Sequence, residues 1–336
     1  MIAAHIAVSI LPVLGFLAVL MSMDSYRLIP FRSVLRTIIV GVLVAVVCYF
    51  INDSLYDRLQ LGPTFYSRHV APLLEETLKA VYIVILIRGH RIGFLVDAAI
   101  YGFAVGTGFA VVENVNYLQE FGEAKIVLWI VRGFGTAIMH GVTTALFAIL
   151  SKGFADRRVN GSYVAFLLGL VVAVAIHTVF NYFVLPPLVT TGVLLTVLPL
   201  LFLLVFERSE RATRSWLGIG FDSDVELLEQ LKTGELRETR VGRYLESLKG
   251  AFPPIVVADL LCLLQVHLEL SARAKGQILA RQAGINLGID DSVRANLKEL
   301  RYLEASVGKT GKMALQSLIN LRSRDLWQLY TLDGRG

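Results

Sequence analysis

Long apolar runs alternate with short polar breaks over the first 206 residues of the chain. A helix needs about 20 mostly apolar residues to cross a bilayer. We expect seven spans, at residues 2–22, 33–51, 70–87, 94–117, 126–150, 163–185 and 188–206. The third is the shortest and the most interrupted by charged groups. The pattern therefore predicts an all-α fold whose first part is a polytopic transmembrane helix bundle.

The composition agrees with a membrane protein and separates a second region. Hydrophobic residues make up 55% of the chain and charged residues 18%, with a mean hydropathy of +0.63. Residues 1–206 carry 13 Lys/Arg and 10 Asp/Glu, whereas residues 207–336 carry 19 and 17, a net charge of +2. We expect a transmembrane domain over 1–206 and a C-terminal soluble helical domain over 207–336. Its helices are expected at 223–250, 253–282, 290–308 and 312–332.

Basic residues lie mainly in alternate loops, which predicts the orientation of the bundle. They follow the first, third, fifth and seventh spans, at Arg27, Arg32, Arg36, Arg88, Arg91, Lys152, Arg157, Arg158, Arg208, Arg211 and Arg214. Because Lys and Arg are enriched in cytoplasmic loops, we expect the N-terminus outside the cytoplasm and the C-terminal domain inside it. The small net charge of that domain favours no nucleic-acid partner, and the sequence does not identify its cytoplasmic partner.

Polar side chains, most of them ionisable, interrupt four successive predicted spans at similar depths. These residues are Glu75, Glu76, Lys79, Glu113, Arg132, His140, His177 and Asn181. A charged group at the bilayer centre costs about 2.5–3.5 kcal/mol on the insertion scale. At 1.5 Å per residue, most of these positions agree in depth within roughly 10 Å. The four-residue spacing of Arg132, Thr136 and His140 predicts a polar stripe on one helix face, so we expect these groups to meet inside the bundle.

Each of these residues also has a purely structural interpretation. A single intramembrane histidine often only links helices, and Arg132 can be the counter-ion of a glutamate. The adjacent Glu75 and Glu76 resist this explanation, because Lys79 pairs with one and the other still needs a proton, a partner or a metal. Carboxylates and imidazoles activate water directly or through a metal. Two histidines and a glutamate are also a catalytic zinc ligand set.

Four motifs in this order resemble the PrsW family of intramembrane proteases. They are E-E-x-x-K at Glu75, Glu76 and Lys79, F-x-x-x-E-N at Phe109, Glu113 and Asn114, the histidine His140, and H-x-x-x-N at His177 and Asn181. The resemblance covers about residues 65–185, and it is the order on successive spans that makes weak motifs specific. The family is similar to the group containing CAAX prenyl endopeptidases. That branch has histidine where this chain has Glu113, which argues against prenyl-protein processing.

The resemblance implies a bacterial inner-membrane peptidase that cuts a membrane-anchored protein near the extracytoplasmic face. The substrate of the best-understood relatives is an anti-sigma factor. Glu75 and Glu76 would form the catalytic pair, with one as general base. Glu113, His140 and His177 would hold the water or a metal, with zinc as the candidate, and Asn181 would donate to the oxyanion. Supporting roles would fall to Lys79, Asn114 and Arg132.

Two other functions fit parts of the sequence. A proton-coupled transporter would also use intramembrane Glu, His and Arg residues, but we find no inverted repeat between the halves. A non-enzymatic sensor or scaffold would use the membrane part to position residues 207–336. Two adjacent glutamates at this depth suit the activation of water, so an intramembrane peptidase is the preferred interpretation.

Overall fold

The computed structural model of the protein describes residues 2–156, 163–285, 287–288, 291–315, 318, 327–329 and 332. Within these ranges the chain forms helices and turns without a strand, so the predicted all-α fold is confirmed. Arg157, Arg158, the predicted helix start at Asp290 and most of 312–332 lie outside the described residues. The chain divides into two compact units, Met1–Glu210 and Arg211–Gly336.

The first unit contains the helices that carry the predicted spans. They are α1 (Ile2–Ser22), α2 (Phe31–Leu59), α3 (Pro63–Phe65), α4 (Ala71–Arg88), α5 (Leu95–Phe121), α6 (Ile126–Ile130), α7 (Ile138–Ala155), α8 (Val164–Tyr182) and the first part of α9 (Pro187–Thr233). Several exceed their predicted lengths: α2 continues past residue 51 and α9 past residue 206. The backbone hydrogen bonds of a helix can continue through polar residues. Hydropathy marks only the apolar part of such a helix, so the predicted spans are shorter than the helices.

Seven helices among the described residues are long and apolar enough to cross a membrane. These are Ala3–Ser22, Phe31–Leu59, Leu95–Phe121, Ile126–Ala155, Val164–Tyr182, Pro187–Thr233 and Pro254–Gln282. Helix α4, the third predicted span, is absent from this set because Glu75, Glu76 and Lys79 interrupt its apolar run. It nevertheless contacts both α2 and α8 inside the first unit. The set also includes a helix of the second unit, so the soluble character of residues 207–336 stays a prediction.

Helices α5 and α7 form the centre of the first unit, and glycine permits their close approach. A Cβ atom added to Gly106 would lie 2.2 Å from the carbonyl oxygen of His140, and one on Gly102 would lie 2.6 Å from Ala145 Cα. On the opposite side of α5, a Cβ on Gly108 would lie 2.1 Å from Ile38 O of α2. Small residues let membrane helices pack backbone to backbone. The backbone that carries His140 therefore sits directly against α5.

Two π-helical turns lead into the helices that carry the polar residues. Tyr66–Val70 joins α3 to α4, and Val131–Ala137 joins α6 to α7. A π-turn holds one extra residue and often marks a functional site. The second turn contains Arg132 and Thr136, so the predicted α-helical stripe from Arg132 to His140 is wrong in its spacing. The extra residue changes the angular relation between Arg132 and the helix that follows.

The second unit is also helical. After α9 it contains short 3₁₀ turns at Glu235–Glu238 and Leu248–Gly250, and the helices α10 (Arg240–Ser247), α11 (Pro254–Gln282) and α12 (Asp291–Leu315). Leucines of α11 and α12 form its buried core. The expected single helix over 223–250 is wrong, because Gly234 takes a left-handed φ of +80° that ends α9. Gly308, with φ +65°, likewise interrupts α12.

Candidate active site

Helix α4 presents two glutamates with different surroundings. Glu76 is buried, and its Oε1 accepts a 2.6 Å hydrogen bond from Lys79 Nζ one turn later. The side chains of this ion pair are 1% and 0% exposed. Glu75 faces a more open region, with 15% of its side chain exposed, and its carboxylate makes no hydrogen bond among the residues that the structure describes. Adjacent positions on a helix point about 100° apart, which gives the pair two distinct environments.

His177 on α8 lies between the two glutamates. Its Nδ1 is 2.9 Å from Glu76 Oε1, and its Nε2 is 3.9 Å from Glu75 Oε2. Because a carboxylate accepts, the short contact places a proton on Nδ1. The Nε2 lone pair then faces Glu75. Glu76 thus sets both the ring orientation and the tautomer of His177, as carboxylates commonly do for metal-binding histidines.

His140 on α7 has a carboxylate partner of its own. Its Nε2 lies 2.6 Å from Glu113 Oε2 on α5, and its Nδ1 lies 3.0 Å from Lys79 Nζ. The ammonium can only donate, so Nδ1 accepts and Nε2 donates to Glu113. The His140 and His177 rings meet edge to face, with centroids 4.9 Å apart. Lys79 therefore connects the Glu76–His177 pair with the Glu113–His140 pair.

Arg132 contacts the cluster through Glu113 and Asn114 of α5. Its Nη2 lies 3.2 Å from Glu113 Oε1, while its Nε donates to Asn114 Oδ1 at 2.8 Å. Asn114 in turn donates to the carbonyl of Ser9 on α1 at 2.7 Å. The arginine also stacks on the Tyr117 ring, 3.6 Å from its centroid. Both oxygens of Glu113 are thus engaged, although 27% of its side chain remains exposed.

Three side chains from three helices are placed to hold a metal ion. Glu75, His140 and His177 each offer a ligand atom, and these atoms all lie within 4.8 Å of one another. Two imidazoles and a carboxylate suit a catalytic zinc site with an open coordination position. To ligate a metal, His140 would exchange one of its present partners for it. The predicted metal ligand Glu113 lies beside this group rather than in it, where it forms an ion pair with Arg132 and accepts a hydrogen bond from His140.

The charges of the cluster also favour a cation. Three carboxylates, Glu75, Glu76 and Glu113, face two permanent cations, Lys79 and Arg132, while the histidines are neutral in the arrangement described above. One negative charge is therefore left over. An uncompensated charge in a largely buried site is costly. A divalent metal or a proton at Glu75 would offset it.

The structure brings most of the predicted site residues together and leaves Asn181 at the edge. Asn181 Nδ2 donates to the carbonyl of Ser67 at 2.9 Å. Sequence reasoning missed Thr143, whose Oγ1 lies 3.2 Å from Glu76 Oε1. It also missed Ser9, whose carbonyl anchors Asn114. Thr143 follows His140 by three residues on the same face of α7, a spacing that could have indicated it.

Comparisons with known proteins agree with this arrangement. A family described as "PrsW family intramembrane metalloprotease" matches residues 29–206, which contain every residue of the cluster except Ser9. The curated protein "Protease PrsW" of Bacillus subtilis (strain 168) is 31% identical over 121 residues. That match covers 35% of this chain and 56% of the relative, so the chain spans little more than half of its length. No solved structure matches the chain.

Proposed function

The chain belongs to the PrsW family of intramembrane metalloproteases, and from this premise we propose that it hydrolyses a peptide bond of a membrane-anchored protein near the extracytoplasmic side of the bilayer. The observation that carries the proposal is the convergence of Glu75, His140 and His177 from three helices. A single-span protein is the substrate class, and an anti-sigma factor is the substrate that the resemblance suggests. The site would lie in a bacterial inner membrane.

Glu75, His140 and His177 would hold the metal, and zinc fits this donor set. A bound metal would supply Lewis-acid chemistry, which polarises a carbonyl and makes water easier to deprotonate. Glu76 and Glu113 would act as outer carboxylates that each hold one ring nitrogen of a histidine. If the enzyme works without a metal, Glu75 is the carboxylate free to take the proton of the attacking water.

The charged neighbours prepare the site before substrate arrives. Lys79 pairs with Glu76 and Arg132 with Glu113, and these pairs would hold the two outer carboxylates where they orient the histidines. Phe109 covers this group from the apolar side: Lys79 Nζ lies 4.4 Å from its ring centroid. Such prearranged dipoles and charges need little reorganisation during the reaction.

The test is proteolysis and metal analysis of the detergent-purified protein with single-span membrane proteins as substrates. The variants are Glu75→Ala and the control Glu120→Ala, an exposed glutamate at the end of α5. Stoichiometric zinc and cleavage in the wild type and control, both lost in Glu75→Ala, would support a metal held by Glu75. Cleavage without metal, lost in Glu75→Ala, would assign the proton transfer to Glu75. Absence of wild-type cleavage together with proton or solute flux in vesicles would overturn the proposal.

A further inference from the structure

The π-helical turn before α4 is held on both flanks. Towards α2, the Tyr66 hydroxyl lies 2.8 Å from Asn52 Oδ1 and 3.0 Å from the carbonyl of Asn52. Towards α8, the Tyr182 hydroxyl lies 2.8 Å from His69 Nε2. The Asn181 amide donates to the carbonyl of Ser67. We call these contacts of Asn52, Tyr66, Ser67, His69, Asn181 and Tyr182 the α4 clasp.

The Ser67 carbonyl accepts from Asn181 because the backbone offers it no ordinary helical donor. Its α-helical partner would be the N–H of Ala71, which instead donates to Tyr66 O across the π-turn. Its π-helical partner would be the N–H of residue 72, but that residue is Pro72 and has none. A main-chain carbonyl freed in this way needs a donor from outside its own helix, either a side chain or water, and this one lies at an exposed position. Asn181 supplies that donor.

The turn determines which way Glu75 points. A π-turn inserts one extra residue, and one residue corresponds to about 100° of rotation about a helix axis. If Tyr66–Val70 returned to α-helical hydrogen bonding, α4 would have to rotate by about that angle relative to α3. Glu75 would then leave the position that it shares with His140 and His177. Asn181 lies one turn after His177 on α8, so its bond to Ser67 links α8 to the turn that leads into α4, and these are two of the three helices that form the site.

We propose that Asn181 and Tyr66 are positioning residues: through Ser67 O and Asn52 they hold the π-turn and thereby aim Glu75 at His140 and His177. The inference rests on the proposed peptidase function and adds residues to it. It gives Asn181 a role other than the oxyanion donor that the family resemblance implies. Tyr66, which is 6% exposed, belongs to none of the four motifs.

A suppressor experiment separates positioning from direct catalysis. Asn181→Leu keeps a similar shape but has no donor, and we expect kcat to fall about 10²-fold, as for a displacement of about 1 Å, with KM little changed. Pro72→Ala restores an N–H five residues after Ser67, so the double variant is expected to recover at least about tenfold of that loss, measured against Pro72→Ala alone. An oxyanion donor could not be replaced in this way. A double variant as inactive as Asn181→Leu would overturn the proposal for Asn181.

A thiol-labelling experiment tests the α2 flank without any substrate. Cys48 is buried, and its Sγ lies 3.4 Å from Asn52 Nδ2. In a Cys262→Ser background, Tyr66→Phe should raise the rate of N-ethylmaleimide labelling of Cys48 about fivefold, the factor expected for one lost hydrogen bond. Tyr49→Phe, on the exposed side of α2, is the matched control and should have no effect. Unchanged labelling in Tyr66→Phe would overturn the α2 part of the clasp.

The two experiments distinguish failure of the clasp proposal from failure of the proposed function. If the wild type cleaves no peptide, the peptidase proposal fails, whereas the labelling of Cys48 still reports on the clasp. If the wild type cleaves and both the suppressor and the labelling results are negative, the clasp alone fails.

Discussion

Substitution of Gly106 by alanine should damage the site through the backbone rather than through any polar group. The added Cβ would lie 2.2 Å from the carbonyl oxygen of His140. Ordinary C···O contacts are about 3.3–3.6 Å, so α5 and α7 would have to separate by about 1.1 Å. No rotamer change can relieve the overlap, because the opposing atom belongs to the main chain. The displacement acts directly between Glu113 on α5 and His140 on α7, whose 2.6 Å contact it would break.

The expected size of this effect follows from two terms. Overpacking costs about 1–3 kcal/mol, and the better helix propensity of alanine offsets about 1 kcal/mol, so we expect a net destabilisation of at most about 2 kcal/mol. A misplacement of about 1 Å lowers activity about 10²-fold. Activity should therefore fall far more than stability.

The assay compares cleavage rates with thermal unfolding in detergent. Gly15→Ala on α1 and Gly192→Ala on α9 are matched controls, because a Cβ at either position has no atom within 4 Å. Both should remain active and be as stable as the wild type or slightly more so. Wild-type cleavage by Gly106→Ala would refute the argument that close helix approach positions His140.

Three further predictions concern charged residues. Lys79→Met leaves Glu76 buried without its cation and should destabilise the protein by about 3–5 kcal/mol; thermal unfolding measures this, and the double variant with Glu76→Gln should recover stability but not cleavage. Glu113→Gln removes the negative charge between Arg132 and His140 and should lower the cleavage rate about 10- to 100-fold, whereas the same change at Glu120 should not. Burial raises the pKa of the Asp24 carboxyl in the loop between α1 and α2, against the opposing hydrogen bond from the Leu28 N–H. The protonated Asp24 carboxyl therefore stabilises the fold fully below its unfolded-state pKa of about 3.9. This stabilisation is lost as the pH rises through the higher pKa that the group has in the folded protein. Asp24→Asn should flatten that decline in a series of unfolding temperatures across pH, and an unchanged pH profile would contradict it.

The sequence predicted which residues belong to the site better than it predicted the contacts among them. Similar depth on successive helices indicated that Glu75, Glu76, Glu113, His140 and His177 would lie near one another, and the structure brings them together. Depth alone did not indicate which carboxylate would be a metal ligand, a role that the family resemblance gave to Glu113. The structure places Glu75 there and bonds Glu113 to Arg132, because side-chain direction depends on rotation about each helix axis.

Local backbone irregularity explains most of the remaining differences. Hydropathy and a uniform 3.6-residue period predict straight α-helices, whereas the helices bearing Glu75 and His140 each begin after a π-turn. Pro72 was visible in the sequence, but its consequence, a Ser67 carbonyl that needs Asn181, depends on where α8 lies. The same limit applies to α11, whose apolar run is compatible with a membrane helix as well as a buried core helix.

The sequence by itself determined that the chain is helical, that most of its first 206 residues are apolar enough for a membrane, and that costly charged groups recur at one depth. Those properties follow from composition and spacing, which do not depend on how the helices pack. Only the tertiary structure decided which partners meet: Lys79 with Glu76 rather than Glu75 and also with His140, Arg132 with Glu113, and Glu75 left open between two histidines. Glu76 and His177, which are 101 residues apart in the chain, meet through helix rotation and close packing at glycine, which no local pattern records.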